Sequence, residues 1–154
     1  MRRLLLRALL FFIVSAIFSR IIALLASQQF DEGDEDSDAF RRVVVMDGGA
    51  LTSRASALRS GEVTAVMSGM RLDLREATLD PAGAELRLEN TMSGLQVLVR
   101  DDWAVSVDDQ LVGGGNVEID VAAPDDLPED SPKLRIRLVT RMGGSVIGTS
   151  ERFS

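Results

Sequence analysis

The sequence predicts an all-β chain, a β-solenoid of about five coils with one membrane helix ahead of it at the N-terminus. Three observations carry this reading. A short motif, a large apolar residue followed by a small one and then glycine, recurs as Met46-Asp47-Gly48, Met67-Ser68-Gly69, Met92-Ser93-Gly94, Val112-Gly113-Gly114 and Met142-Gly143-Gly144. Between the copies, apolar and polar residues alternate with a period of two, the mark of a half-buried strand. Ahead of both, Leu4 to Ala26 is almost wholly apolar.

The first 27 residues read as a membrane anchor. As a helix, Leu4 to Ala26 would run roughly 34 Å, about the thickness of a bilayer's hydrocarbon core. Arg7 and Arg20 interrupt it, and both have stems long enough to reach headgroups. A cleaved signal peptide is an alternative, since Met1–Arg7 forms a basic start before an apolar stretch. A helix lying in the headgroups is another, because the four arginines fall within about 140° of a helical wheel. With an anchor, the basic residues Arg2, Arg3 and Arg7 stay in the cytoplasm and the C-terminal domain lies outside, although Arg41 and Arg42 pull the other way. The expected location is the cell membrane, single-pass, with the bilayer as a partner.

Residues 28–40 read as an acidic linker. Positions 31–40 carry six acids and no base. Like charges repel and cannot build a core, so the run is expected to be extended and solvated. A calcium loop would need a terminal Glu and flanking helices, and neither is present.

Residues 41–154 read as the solenoid domain. The motif glycines are 21, 25, 20 and 30 residues apart. Three residues after each glycine comes another apolar residue: Leu51, Leu72, Val97, Val117 and Ile147. Stacked coils place equivalent residues above one another. The pattern thus predicts one inward column of Met46, Met67, Met92, Val112 and Met142. A second inward column holds Leu51, Leu72, Val97, Val117 and Ile147. Gly48, Gly69, Gly94, Gly114 and Gly144 would then form the tight corners. Strands are expected around Arg71–Arg75, Glu85–Glu89, Val117–Val121 and Leu134–Val139. The longer offsets are assigned to loops, Asp80-Pro81-Ala82-Gly83 and the proline-rich run Pro124–Pro132. A β-sandwich is the competing architecture, but it does not require one tripeptide in every segment.

Composition excludes much chemistry. The chain has no Cys and no His, which removes disulfides, Cys- or His-based metal sites and His-dependent nucleophile activation. Residues 41–154 hold 18 acids and 13 bases, so nucleic acid is not an expected partner. Three carboxylate pairs, Asp101-Asp102, Asp108-Asp109 and Asp125-Asp126, are better explained by turns, because neighbours on a strand point to opposite faces. Gly113-Gly114-Gly115 lacks the Lys and helix of a phosphate loop. Arg135, Arg137 and Arg141 form a stripe that could pair with acids on a neighbouring coil. Trp103 is the single Trp. It is either a core residue or an exposed interaction anchor. No cofactor, metal or catalytic residue is assigned.

The motif and two further stretches resemble the toast-rack domain of LiaF-like proteins, the cell-wall-active antibiotics response family. Met70-Arg71-Leu72-Asp73-Leu74-Arg75-Glu76-Ala77 is similar to its Val-Glu-Leu-Asp-Leu-Arg-Ala segment. Leu95–Val105 is similar to its Val-Glu-Ile-x-Val-Pro-x-x-Trp-x-Val segment. Met or Val stands here for the family's Phe, and Arg100 for its Pro. The likeness covers about residues 42–152. It implies a single-stranded right-handed β-solenoid and a non-enzymatic role in envelope-stress sensing beside a membrane signalling protein. Taken without the resemblance, open solenoid ends suggest a self-assembling, bactofilin-like scaffold, or less readily an enzyme on a β-helix.

Overall fold

The computed structural model describes residues 31–150. Ten strands alternate between two parallel sheets. They are β1 (Ala39–Val45), β2 (Gly48–Thr52), β3 (Ser60–Val66), β4 (Gly69–Asp73), β5 (Ala84–Thr91), β6 (Gly94–Leu98), β7 (Ala104–Val112), β8 (Asn116–Asp120), β9 (Lys133–Arg141) and β10 (Gly144–Gly148). Odd strands form one sheet in the order β1-β3-β5-β9-β7, and even strands form the other in the order β2-β4-β6-β10-β8. Each odd strand turns through a short corner into the even strand that follows it.

The order corrects the predicted stack. A simple solenoid would add its coils in sequence, but the last strand pair lies between the third and the fourth. Two connections make this possible. Residues 99–103 carry the chain from β6 to β7 across a gap two strand spacings wide, about 10 Å. Residues 121–132 then lead back, so that β9 and β10 enter the gap and bond on both sides. The proline-rich run, expected to be an outward loop, is the return path of the chain. Pro124–Asp126 within it is a short 3-10 turn, the only helical element among the described residues.

The expected anchor, residues 1–27, lies outside the described residues. Among those described, no helix is long and apolar enough to cross a membrane. The fold that is described is all-β, without the expected N-terminal membrane helix among its elements. The single-pass location, the bilayer partner and the membrane-anchored sensor all rested on that helix, and none is retained.

The core forms because alternation sends one side chain in two inward. In β9, Leu134, Ile136, Leu138 and Thr140 are buried while Lys133, Arg135 and Arg137 face solvent. In β5 the buried set is Ala84, Leu86, Leu88 and Asn90. The even strands supply Leu51, Met70, Leu72, Leu95, Val97 and Ile147 to the same cluster, and the connections supply Ala55, Leu58, Leu74, Ala77, Leu79, Val99 and Trp103. The Leu51, Leu72, Val97 and Ile147 column therefore lies inside, with Val117 partly buried against it. Trp103, at 3% exposure, belongs to the core and is no surface anchor.

One polar knot crosses this core. The Asn90 amide donates to the Gly144 carbonyl at 2.8 Å and to Ser145 Oγ at 2.9 Å. Ser145 Oγ also lies 2.8 Å from Thr140 Oγ1. All three side chains are buried, and they tie β5 and β9 of one sheet to β10 of the other.

The acidic run is ordered against the domain, where a solvated spacer was expected. Glu32 and Arg41 exchange backbone hydrogen bonds at 3.0 and 2.8 Å along the outer edge of β1. The Val43 amide donates to Asp31 Oδ1 at 2.8 Å. The Arg54 and Arg59 amides donate to the carbonyls of Glu35 and Asp38. Side-chain pairs Arg42–Asp31 and Arg54–Glu35 balance part of the charge. Within the run, Asp34 accepts from the Ser37 hydroxyl and the Asp36 amide, and these bonds hold its carboxyl below the usual range. The acids thus satisfy donors of an edge strand that would otherwise be open.

Candidate functional site: the methionine ridge and the open end

Each corner between an odd and an even strand is held by the backbone of its neighbour. The amide of Met46 donates to the Val66 carbonyl, Met67 to Thr91, Met92 to Arg141 and Met142 to Val112, at 2.8–3.3 Å. On the far side of the corner, Gly69 donates to Asp47, Gly94 to Ser68, Gly144 to Ser93 and Asn116 to Gly143. Both ladders thus continue around the bend, and equivalent corner residues lie one strand spacing apart, about 4.8 Å.

The residues on that corner invert the sequence expectation. Met46, Met67, Met92 and Met142 are 61%, 50%, 49% and 58% exposed. They form a ridge on the surface where an inward column was expected. All four sit in the left-handed region, with φ of 54°, 48°, 51° and 51°. The motif glycines Gly48, Gly69, Gly94 and Gly144 have ordinary φ, and a Cβ on any of them would meet nothing within 4 Å. The bend is made by methionine. A left-handed non-glycine residue costs about 1–2 kcal/mol.

The fourth corner shows that the bend does not need methionine. Val112 pairs with Arg141 in register, so the residue that matches Met142 is Gly113. Gly113 and Gly114 carry the positive φ there, at 72° and 85°. The sequence motif had aligned Val112 with the methionines, one residue out, and Val112 is 42% exposed at the end of β7.

Met67, Met92 and Met142 line one shallow surface cleft with Ser68, Ser93, Gly94 and Gly143. Ser93 knits its floor, donating to the Thr91 carbonyl at 2.8 Å and accepting from the Ser68 amide at 3.0 Å. Sequence reasoning named these methionines as structural. The signal it missed is a bulky residue at a bend that glycine makes more cheaply.

The open end is the second feature. β7 and β8 are outermost and pair on one side only among the described strands. Asp108 through Val112 is exposed, and Leu111 and Ile119 stay about half exposed. Residues 101–132 hold ten acids and no base.

The remaining candidates are dispersed. Asp102 pairs with Arg100 through two bonds of 2.8 Å, which hold its carboxyl below the usual range. Asp108-Asp109 lies on exposed β7, and Asp125-Asp126 lies in the 3-10 turn. Arg137 and Arg141 reach Glu85 and Glu89 across the β5–β9 pair at 3.6 and 3.8 Å. Arg75 grips Asp73 at 2.9 and 2.6 Å, and those bonds hold the Asp73 carboxyl below the usual range. A cleft beside the 121–132 connection is lined by Arg59, Lys133 and Arg135 together with Asp125 and Glu129. Among the described residues no cluster of His, Cys, Asp or Glu could hold a metal ion.

No family model, no curated protein and no solved structure matches the chain. The toast-rack and envelope-stress expectations therefore gain no support from relatives.

Proposed function

We propose that the chain is a non-catalytic scaffold that assembles through its open end, two copies joining β7 to β7 and β8 to β8 as antiparallel continuations of both sheets. The carrying observation is the asymmetry of the ends. The acidic run bonds the outer edge of β1, whereas among the described strands β7 pairs with β9 alone, with Leu111 and Val112 of β7 and Ile119 of β8 exposed. Unpaired strand edges template further strands. At the far end the acidic run occupies the β1 edge, so that sheet does not grow from both of its ends.

Asp108 is the middle residue of β7, with Asp109 beside it. Two such edges repel at low salt, so joining is favoured by added salt. Sedimentation velocity on the full chain over a range of concentration and salt tests this. A concentration-dependent dimer, weakened by Leu111→Lys, is expected. A monodisperse monomer at high concentration under all these conditions ends the proposal, and so does a filament.

The ten acids of residues 101–132 favour a second reading, in which the occupant of this end is a basic strand from another protein. Dimers that are displaced by an added arginine-rich β-strand peptide would favour it.

A further inference from the structure

The methionine ridge has a cost that neither the fold nor the assembly proposal explains. Four of the six methionines occupy one column, all at positive φ and all exposed. If the bend alone were required, glycine would serve, as Gly113 does at the equivalent place. If apolar character alone were required, leucine would serve, yet none of the chain's leucines stands at a corner. What methionine adds to both is sulfur. Strained residues that cluster on a surface point to function.

Thioether sulfur is a soft, uncharged donor, suited to soft metal ions such as copper(I) and poorly suited to calcium or magnesium. The ridge repeats that donor at the strand spacing of about 4.8 Å. Two sulfur–metal bonds of about 2.3 Å span nearly that distance, so one ion can bridge methionines on neighbouring strands. Met67, Met92 and Met142 directly follow the consecutive neighbours β3, β5 and β9, and they share one cleft. Met46, directly after β1, extends the column by one step.

We propose that Met67, Met92 and Met142 form a thioether site for copper(I), with silver(I) as its redox-inert equivalent. The sulfurs bind as neutral ligands, so no proton is released and no electron is transferred on binding. This distinguishes the site from carboxylate, imidazole or thiolate sites, whose affinity falls as their ligands protonate.

The test is titration of the full chain with silver(I) nitrate, followed calorimetrically and by the methyl signals of methionine in carbon–proton NMR. Binding with the same affinity at pH 5 and pH 7 is expected, with shifts at Met67, Met92 and Met142 and none at Met70, which is buried in the core. Replacing the three by leucine keeps size and apolarity and removes sulfur. This variant is expected to bind at least tenfold more weakly while its circular dichroism is unchanged. Should the triple variant fail to fold, Met92→Leu alone removes the central donor and is expected to weaken binding several-fold. Copper(I) competition against a chromogenic chelator should rank the variants in the same order. Absence of binding, an affinity that falls between pH 7 and pH 5, or full affinity in the leucine variants overturns the site.

Discussion

Gly143 and Gly144 are adjacent, and the structure assigns them opposite responses to alanine. A Cβ on Gly143 would lie 2.5 Å from the Ser93 carbonyl oxygen, 3.0 Å from the Ser93 nitrogen and 3.2 Å from Asn90 Nδ2. Ordinary contact begins at 3.4 Å, so the two corners must part by about 0.9 Å at the closest point. The two nearest obstructing atoms are backbone and cannot rotate away. The same shift pulls on the bond from the Gly144 amide to the Ser93 carbonyl, 3.0 Å long, and on the Asn90 bonds to Gly144 and Ser145. Overpacking costs about 1–3 kcal/mol and a weakened hydrogen bond about 1 more, so Gly143→Ala should destabilise by about 2–4 kcal/mol. On Gly144 a Cβ meets nothing within 4 Å, and φ is not positive. There alanine reduces the freedom of the unfolded chain and should stabilise by about 0.4–1 kcal/mol. Urea unfolding followed by the fluorescence of Trp103, the single and buried Trp, reads both variants. A destabilised Gly144→Ala, or a Gly143→Ala indistinguishable from the parent, would refute the account of the corner.

Other outcomes follow from the same geometry. Met92→Gly should leave stability unchanged or raise it by up to about 1 kcal/mol, because relief of the left-handed strain offsets the added freedom of the unfolded chain. Met92→Val places a β-branched residue at φ 51° and should cost more than about 1 kcal/mol in the same urea assay. Asn90→Ala removes the donor to Gly144 and Ser145 inside the core and should cost about 1–3 kcal/mol, with the melting temperature falling accordingly. The Asp73 carboxyl is held below its ordinary value first by the Arg75 hydrogen bonds. Its folded pKa is the lower one, so its contribution is complete above the unfolded value of about 3.9 and is lost as pH falls through the folded value. Asp73→Asn should flatten the stability profile in that acid window and leave its shape near neutrality unchanged.

Much of the strand content can be read directly from the chain. Leu134-Arg135-Ile136-Arg137-Leu138 alternates so cleanly that both the strand and its buried face follow from the residues, and β9 adopts both. The column Leu51, Leu72, Val97 and Ile147 follows from the spacing in the same way. Alternation, however, says which face a residue takes and nothing about which strand lies beside it. The insertion of β9 and β10 between older neighbours depends on the lengths of residues 99–103 and 121–132, which sequence marks only as loops. The ridge was hidden for a different reason. An apolar residue before glycine suggests a buried side chain and a glycine bend, whereas here the methionine bends and the glycine does not. In the acidic run the sequence displays the repulsion and not the partners that offset it. Its carboxylates and carbonyls meet an edge with open donors and the arginines Arg42 and Arg54, and those contacts outweigh the repulsion.

The strand order also fixes when the molecule can be finished. On the ribosome, the first three strand pairs emerge with all their mutual partners and can zip one onto the next as they appear. β7 and β8 emerge next with nothing to bond, since both of their partners lie further along the chain. A nascent chain released after Pro132 would hold every residue of that fourth pair and none of its ladder. Residues 133–148 act as the keystone. Their arrival closes four strand pairings at once, so this last strand pair decides whether the preceding part becomes a folded end or an exposed pair of sticky strands.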